Sequence, residues 1–171
     1  MLQLRAVTAG DLPMMRRFAV EPGLIGPDWS GFRDAGAIDR RFAADGYLGG
    51  TPDSRLIVDV DGEAAGVVSF RACRFGGAPN WEIGIVLLPE WRGRGFGWRA
   101  QVLLCDYLFR HTPAMRISAG TQADNVPEQR ALLKAGFQLE GTMRAIEFAD
   151  GGWRDGMLYS RLRTDPAPAL D

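Results

Sequence analysis

Several features that would announce a function are scarce in this 171-residue chain. It has two cysteines, Cys73 and Cys105, too few for a disulfide framework or a zinc site; they read as reduced core thiols of a cytoplasmic protein. Its one histidine, His111, falls at the end of a helical pattern, where it complements the helix dipole. A Ser-His or Cys-His nucleophile is therefore disfavoured. No apolar run approaches the ~20 residues that span a bilayer. The segment Met1-Leu2-Gln3-Leu4-Arg5 alternates from its first residues, without the basic and apolar regions of a signal peptide. A net charge of -1, with basic residues spread along the chain, gives no general attraction to nucleic acid. We find no internal repeat and no linker.

What is present suits one globular domain with a full core: 46% hydrophobic and 24% charged residues over this length. Leu2 to Val7 alternates as a strand, and Asp11 is placed to cap a helix running to about Val20. A Gly-, Pro- and Trp-rich loop spans Glu21 to Phe32, followed by a helix from about Ala35 to Asp45. Arg55 to Val60 and Ala64 to Cys73 read as strands joined by Asp61-Gly62, a hairpin turn signal. Trp81 to Leu88 is a further strand. Phe96, Ala100, Leu103, Leu104, Tyr107 and Leu108 form a helical stripe that ends near His111, with Pro113 as its stop. Met115 to Thr121 is a strand, and Asn125 to Ala135 a helix with Pro127 in its first turn and Gly136 just past its end. Phe137 to Phe148 and Trp153 to Arg163 form a closing strand pair around Asp150-Gly151-Gly152. The Pro/Ala/Asp-rich residues 164–171 read as a disordered tail behind a domain of residues 1–163. The order is α+β, a mostly antiparallel sheet with helices on its faces.

The most informative stretch is Arg92-Gly93-Arg94-Gly95-Phe96-Gly97, between the strand ending Val86-Leu87-Leu88 and the helix that starts at Phe96. A strand that runs through a glycine-rich turn into a helix start gathers bare backbone N–H groups at one point, and the helix dipole adds positive potential there. Glycine removes the Cβ that would keep a phosphate away from those donors. Arg92 and Arg94 add formal charge. The turn reads as a phosphate or pyrophosphate site.

In these residues the chain resembles the GCN5-related N-acetyltransferases, whose acetyl-CoA motif is Gln/Arg-x-x-Gly-x-Gly/Ala between a strand and a long helix. Arg92, Gly95 and Gly97 fit it. Asn125, Lys134-Ala135-Gly136-Phe137, Glu140-Gly141 and Arg144 are similar to a segment of the branch that contains the ribosomal-protein N-terminal acetyltransferases. Glu82-Ile83-Gly84 and Gly152-Trp153-Arg154-Asp155 with Tyr159 also resemble that branch, so the likeness covers residues 2 to 163. It implies a single-domain fold with a mixed, mostly antiparallel sheet of about seven strands and helices on both faces. It implies transfer of an acetyl group from acetyl-CoA to a primary amine by direct attack, with acetyl-CoA as co-substrate and no metal. The turn of Arg92, Gly93, Arg94, Gly95, Phe96, Gly97 and Trp98 would hold the CoA pyrophosphate. The backbone of Val86, Leu87 and Leu88 would pair with the pantetheine arm and acetyl carbonyl, and Asn125 would contact the pantetheine.

Trp98 departs from the pattern, in which a small hydroxyl residue often helps hold the pyrophosphate; tryptophan offers only one indole N–H. Glu82 is the candidate general base. Alternation puts it on one face with Gly84 and Val86, and Ile83, Ile85 and Leu87 on the other. An ammonium acceptor needs a carboxylate or a water chain to take its proton. The alternative is a substrate-binding or sheet-facing carboxylate. Glu128 stands where the related enzymes often carry a serine that serves as the acid for the CoA thiolate, and Leu132 where many others carry a tyrosine. Asn125-Val126-Pro127-Glu128 is spaced like a capping box, which is the reading preferred for Glu128; Tyr159 is a remote alternative as the acid and reads rather as core. In this fold the loop holding Trp29, Phe32, Arg33 and Asp34 borders the acceptor site, so these residues are candidates for an aromatic and charged acceptor pocket, against plain packing on the sheet. The expected acceptor is a small-molecule amine, with a protein or peptide N-terminus as the alternative and a non-catalytic acyl-CoA-binding module as the rival of another class. No nucleic acid or membrane partner is expected, and a homodimer is left open.

Overall fold

A computed structural model describes residues 1–25, 29, 31–50, 52–75 and 78–169. Strand β1 (Leu2–Arg5) leads through a 3-10 turn (Ala9–Asp11) into helices α1 (Leu12–Val20), α2 (Pro22–Ile25) and α3 (Gly36–Asp45). Three strands follow, β2 (Ser54–Val60), β3 (Glu63–Phe75) and β4 (Ala78–Leu87), then the long helix α4 (Phe96–His111). The chain closes with β5 (Arg116–Gln122), α5 (Val126–Lys134), β6 (Gln138–Ala149) and β7 (Gly152–Leu162). Asp61-Gly62 makes the expected tight turn, with both residues at positive φ. Helix α2 was not foreseen; it condenses out of the loop read at Glu21 to Phe32. Asp11 does not cap α1 with its side chain. Its carboxylate accepts from the Thr8 N–H at 2.8 Å and takes a bidentate pair of bonds from Arg5 at 2.7 and 2.8 Å, because β1 delivers that guanidinium first.

The seven strands form one sheet in the order β1-β2-β3-β4-β5-β7-β6. Every neighbouring pair is antiparallel except β4 with β5, which are joined through α4 and run parallel. One face packs on α4 and α5, where Ala100, Leu104, Leu108 and Leu132 meet Val58, Val68, Ile83 and Ile117. The other packs on α1 to α3, where Met15, Phe18 and Tyr47 meet Ile57 and Val67. Along β4 the alternation is as expected: Ile83, Ile85 and Leu87 join the first cluster, and Val86 joins the second. Gly66 of β3 is required by the approach of β4, since a Cβ there would stand 2.2 Å from the Val86 carbonyl oxygen. The two helical layers thus share β4 as a common wall.

Candidate active site

Strands β4 and β5 pair only at Trp81, Glu82 and Ile83 against Ile117, Ser118 and Ala119. Past Ile83 they part. A cleft of about 220 Å³ opens between them, lined by Gly84 and Ile85 of β4, Gly120 and Thr121 of β5, Gln101 of α4, and Asn125, Glu128 and Leu132 around α5. Asn125 caps α5, its Oδ1 accepting from the Glu128 N–H at 3.4 Å. The reciprocal half of the expected capping box is used otherwise: the Asn125 N–H donates to the Gln122 carbonyl, and the Glu128 carboxylate accepts from Gln101 Nε2 at 2.6 Å. Gln101 is buried, and its Oε1 has no hydrogen-bond partner among the described residues.

At the end of β4 the chain turns through residues 92–95 into α4. Gly93 and Gly95 sit at φ 71° and 79°, in the left-handed region that favours glycine. Gly95 is the N-cap of α4 and provides no side-chain cap, so the first N–H groups of the helix are left for an outside acceptor. Arg92 has a task its sequence position did not suggest. It donates from Nε to the Leu87 carbonyl at 2.9 Å and from Nη2 to the Leu24 carbonyl, tying the turn to β4 and α2. Arg94 is exposed and lies over the Trp91 and Phe96 rings, 4.8 and 5.2 Å from their centroids. The Trp98 indole Nε1 lies 3.4 Å from where a Cβ on Gly95 would stand, which puts its N–H beside the turn.

The opposite face of the sheet is read across the strands in rows. Arg55, Ser69 and Gly84 are register partners on β2, β3 and β4, as are Ile57, Val67 and Val86 one pleat away. One pleat the other way, Arg71 faces Glu82 and holds it with Nη2 to Oε1 at 2.7 Å and Nε to Oε2 at 3.2 Å. Arg55, Ser69, Gly84, Val67 and Val86 of the first two rows floor a cavity of about 560 Å³ roofed by Met15 and Phe18 of α1, Ile38 and Arg41 of α3, and Tyr47; Arg71 and Glu82 lie outside its lining. Of the loop residues expected here, Arg33 and Asp34 line it, whereas Trp29 and Phe32 do not. Those two rings meet edge to face with centroids 5.5 Å apart, and Phe32 is 78% exposed, because α1 and α3 already supply the apolar wall. Loop residues 26–28 and 30 lie outside the described residues. This cavity and the β4–β5 cleft share Gly84 and Ile85.

The remaining reactive groups stand apart. Cys105 is fully buried, and burial pushes its thiol up to about 12. His111 is exposed in the last turn of α4, its ring 4.9 Å from that of Tyr107. Tyr159 is in the core, donates to Gln129 Oε1 at 3.4 Å, and is held protonated more strongly by burial. Among the described residues no cluster of His, Cys, Asp and Glu is arranged to hold a metal ion, and no helix is long and apolar enough to cross a membrane.

A strand, a glycine turn and a helix start are what the sequence motif implied, the parted parallel strand pair beside them comes from the fold, and the family comparison decides the reading: the model of the acetyltransferase (GNAT) domain matches residues 1–138. The chain is a GNAT-family protein. The probable N-acetyltransferase YjcK of Bacillus subtilis is 32% identical over 105 residues, 61% of this chain and 58% of that protein. The [Ribosomal protein uS5]-alanine N-acetyltransferase of Escherichia coli is 30% identical over 119 residues, 68% of this chain and 57% of that one. The GNAT chain thus spans under two thirds of the length of these curated relatives. The crystal structure of spermidine N-acetyltransferase from Vibrio cholerae, in complex with CoA and spermine, superposes with a TM-score of 0.83 over 96% of both chains at 19% identity, a likeness of fold.

Proposed function

We propose that this GNAT chain transfers an acetyl group from acetyl-CoA to the primary amine of a small molecule. The observation that carries the reading is the meeting of two cavities at Gly84 and Ile85, one on each side of β4. A thioester lying in the cleft and an amine entering from the opposite face reach each other where β4 carries no side chain. The amine nitrogen attacks the thioester carbonyl, the C–S bond breaks, and the sulfur leaves as a thiolate that takes a proton. The products are an amide and free CoA, with no covalent enzyme intermediate. A free thiol of pKa about 8.5 is an adequate leaving group without a dedicated acid.

The donor site suits CoA on its own chemistry. The uncapped N–H groups of α4, the Arg94 guanidinium and the Trp98 indole N–H are donors for a pyrophosphate, while Arg92 shapes the turn. The orphaned Gln101 Oε1 is an acceptor for a pantetheine amide, beside Asn125. The backbone of Val86 and Leu87 at the end of β4, and of Leu88 just past it, would run along this arm. Glu82 lies one pleat from Gly84, about 7 Å along the strand, so it takes the ammonium proton through one water and not directly. A second reading, a peptide N-terminus as acceptor, draws on the likeness to the uS5-alanine enzyme. The test has two parts. CoA should raise Tm by binding the native state, and no shift at millimolar CoA refutes the donor site. Thiol release from acetyl-CoA with a panel of amines and short peptides identifies the acceptor; CoA binding without any turnover would make the protein a binding module.

A further inference from the structure

Among the described residues, the cavity on the acceptor face is lined by three guanidinium groups, Arg33, Arg41 and Arg55, and by one carboxylate, Asp34. That carboxylate is committed elsewhere: it pairs with Arg40 and accepts from the Gly36 N–H at 2.8 Å. Glu82, in the next row, is held by Arg71. Among the described residues, a cation entering here finds no unengaged carboxylate in the lining. Arg41 is well supplied, paired with Asp45 and bonded to Asp53, whereas Arg55 keeps donors to spare. Asp53 serves both Arg41 and Arg55, taking Arg55 Nε at 2.7 Å on Oδ2 and Arg41 Nη1 at 3.3 Å on Oδ1. The Nη1 and Nη2 donors of Arg55 have no acceptor among the described residues, although its guanidinium is steadied 5.2 Å over the Tyr47 ring. Its register partner Ser69 adds a hydroxyl on the same row, between Arg55 and Gly84. Beyond this row the floor is Val67 and Val86, and the roof Met15 and Phe18.

The row therefore has an anion receiver at one end, the Ser69 hydroxyl in its middle and the reaction point at Gly84, with apolar floor and roof beside it. We propose that the acceptor amine carries a carboxylate on an apolar body, with Arg55 and Ser69 receiving the carboxylate while the amine reaches Gly84. This rests on the reading of this cavity as the acceptor site. Two strand spacings, about 10 Å, separate Arg55 from Gly84, and the arginine side chain bridges part of that span. Polyamines are poor acceptors, since each added ammonium meets a guanidinium and no unengaged carboxylate.

Matched pairs test it: leucine against isoamylamine, aminocaproate against amylamine, and spermidine as the polycation, each at saturating acetyl-CoA. In at least one pair the carboxylate-bearing member should have kcat/KM higher by about tenfold or more, as charge-assisted hydrogen bonds give. Arg55→Met should collapse that ratio to about one, mainly through KM, and Arg55→Lys should restore part of it. An intact CoA-induced Tm shift shows that each variant is folded. A ratio of one or less in every wild-type pair, or a ratio that survives Arg55→Met, overturns the inference while leaving acetyl transfer standing. Should CoA bind and no amine turn over, the same pairs are compared by added Tm shift on the CoA-saturated protein; equal shifts within each pair also overturn it. Absence of any CoA shift removes the donor reading first.

Discussion

The two sides of β4 are built in opposite ways. On the proposed donor side the pyrophosphate end is assembled from near-contiguous chain: β4, the turn at residues 92–95 and the first turn of α4 lie close together in sequence, and only the cleft behind them draws on β5 and α5. The acceptor side is assembled from Met15, Asp34, Arg41, Arg55, Ser69 and Gly84, spread over five elements and a loop. A contiguous site depends on local backbone chemistry, so its defining residues are glycines. A dispersed site depends on packing and register, so its defining residues are ordinary ones whose meaning appears only after folding.

The sharpest way to separate the sides is Gly95→Glu. The position has φ 79°, and its Cβ direction already meets Trp98 Nε1 and an Arg99 nitrogen at 3.4 Å. A carboxylate there also confronts the pyrophosphate. CoA affinity should fall by at least about a thousandfold, roughly 4 kcal/mol, removing the ligand-induced Tm shift. Persistence of the shift would mean that the turn does not hold the donor.

Glu82→Gln acts on the other face and should leave the Tm shift from CoA intact. As a base acting through water, Glu82 is expected to contribute about a hundredfold to kcat. A rise confined to KM would identify it as a substrate-binding carboxylate, the alternative its sequence position left open. The ion pair with Arg71 sharpens that question, because losing it frees a guanidinium beside the acceptor cavity.

This contrast also explains what could be read before folding. The limits of α4, from Phe96 to His111, follow from its apolar stripe, and the Asp61-Gly62 hairpin from turn chemistry; both are properties of neighbouring residues. The pairing of Arg71 with Glu82 needed the β3–β4 register, and the Arg92 bond to Leu24 joins residues 68 apart. Nothing local marks either. Trp29 and Phe32 are candidates because their loop borders the acceptor site in the fold the resemblance implies; in the structure their rings meet each other and neither is in the cavity's lining, which α1 and α3 supply. Glu128 fits a capping box by spacing; its carboxylate is drawn instead to Gln101, a partner on another helix.

Acid should weaken the anchoring of α1 through the Arg5–Asp11 pair. Arg5 holds the Asp11 carboxyl at about 2, down from 3.8, and Asp11 is 5% exposed. The folded-state pKa is depressed, so this stabilisation is fully present above the unfolded value of 3.8 and is lost as pH falls toward about 2. The amount is about 2 kcal/mol, and it anchors the turn that starts α1. Asp11→Asn should lower Tm at neutral pH and flatten the Tm–pH curve in that window. An unchanged curve would show that the pair contributes nothing to folding.

The smallest effect concerns Trp98, where a packing role and a donor role coexist. Its ring packs against the α4-side core, and its indole N–H lies beside the turn. Trp98→Phe keeps an aromatic ring and removes the N–H. Loss of one hydrogen bond to a charged phosphate is worth about 1–2 kcal/mol, so CoA Kd should rise about five- to thirtyfold with little change in Tm of the free protein. Trp98→Ser does the reverse. It introduces a hydroxyl of the kind the family resemblance leads one to expect there, at the cost of core contacts, so it should lower Tm while weakening CoA less than Trp98→Phe does. If both variants bind CoA as the parent does, the pyrophosphate is held by backbone N–H groups and arginine alone, and the donor side is even more a property of the glycine turn than its sequence suggests.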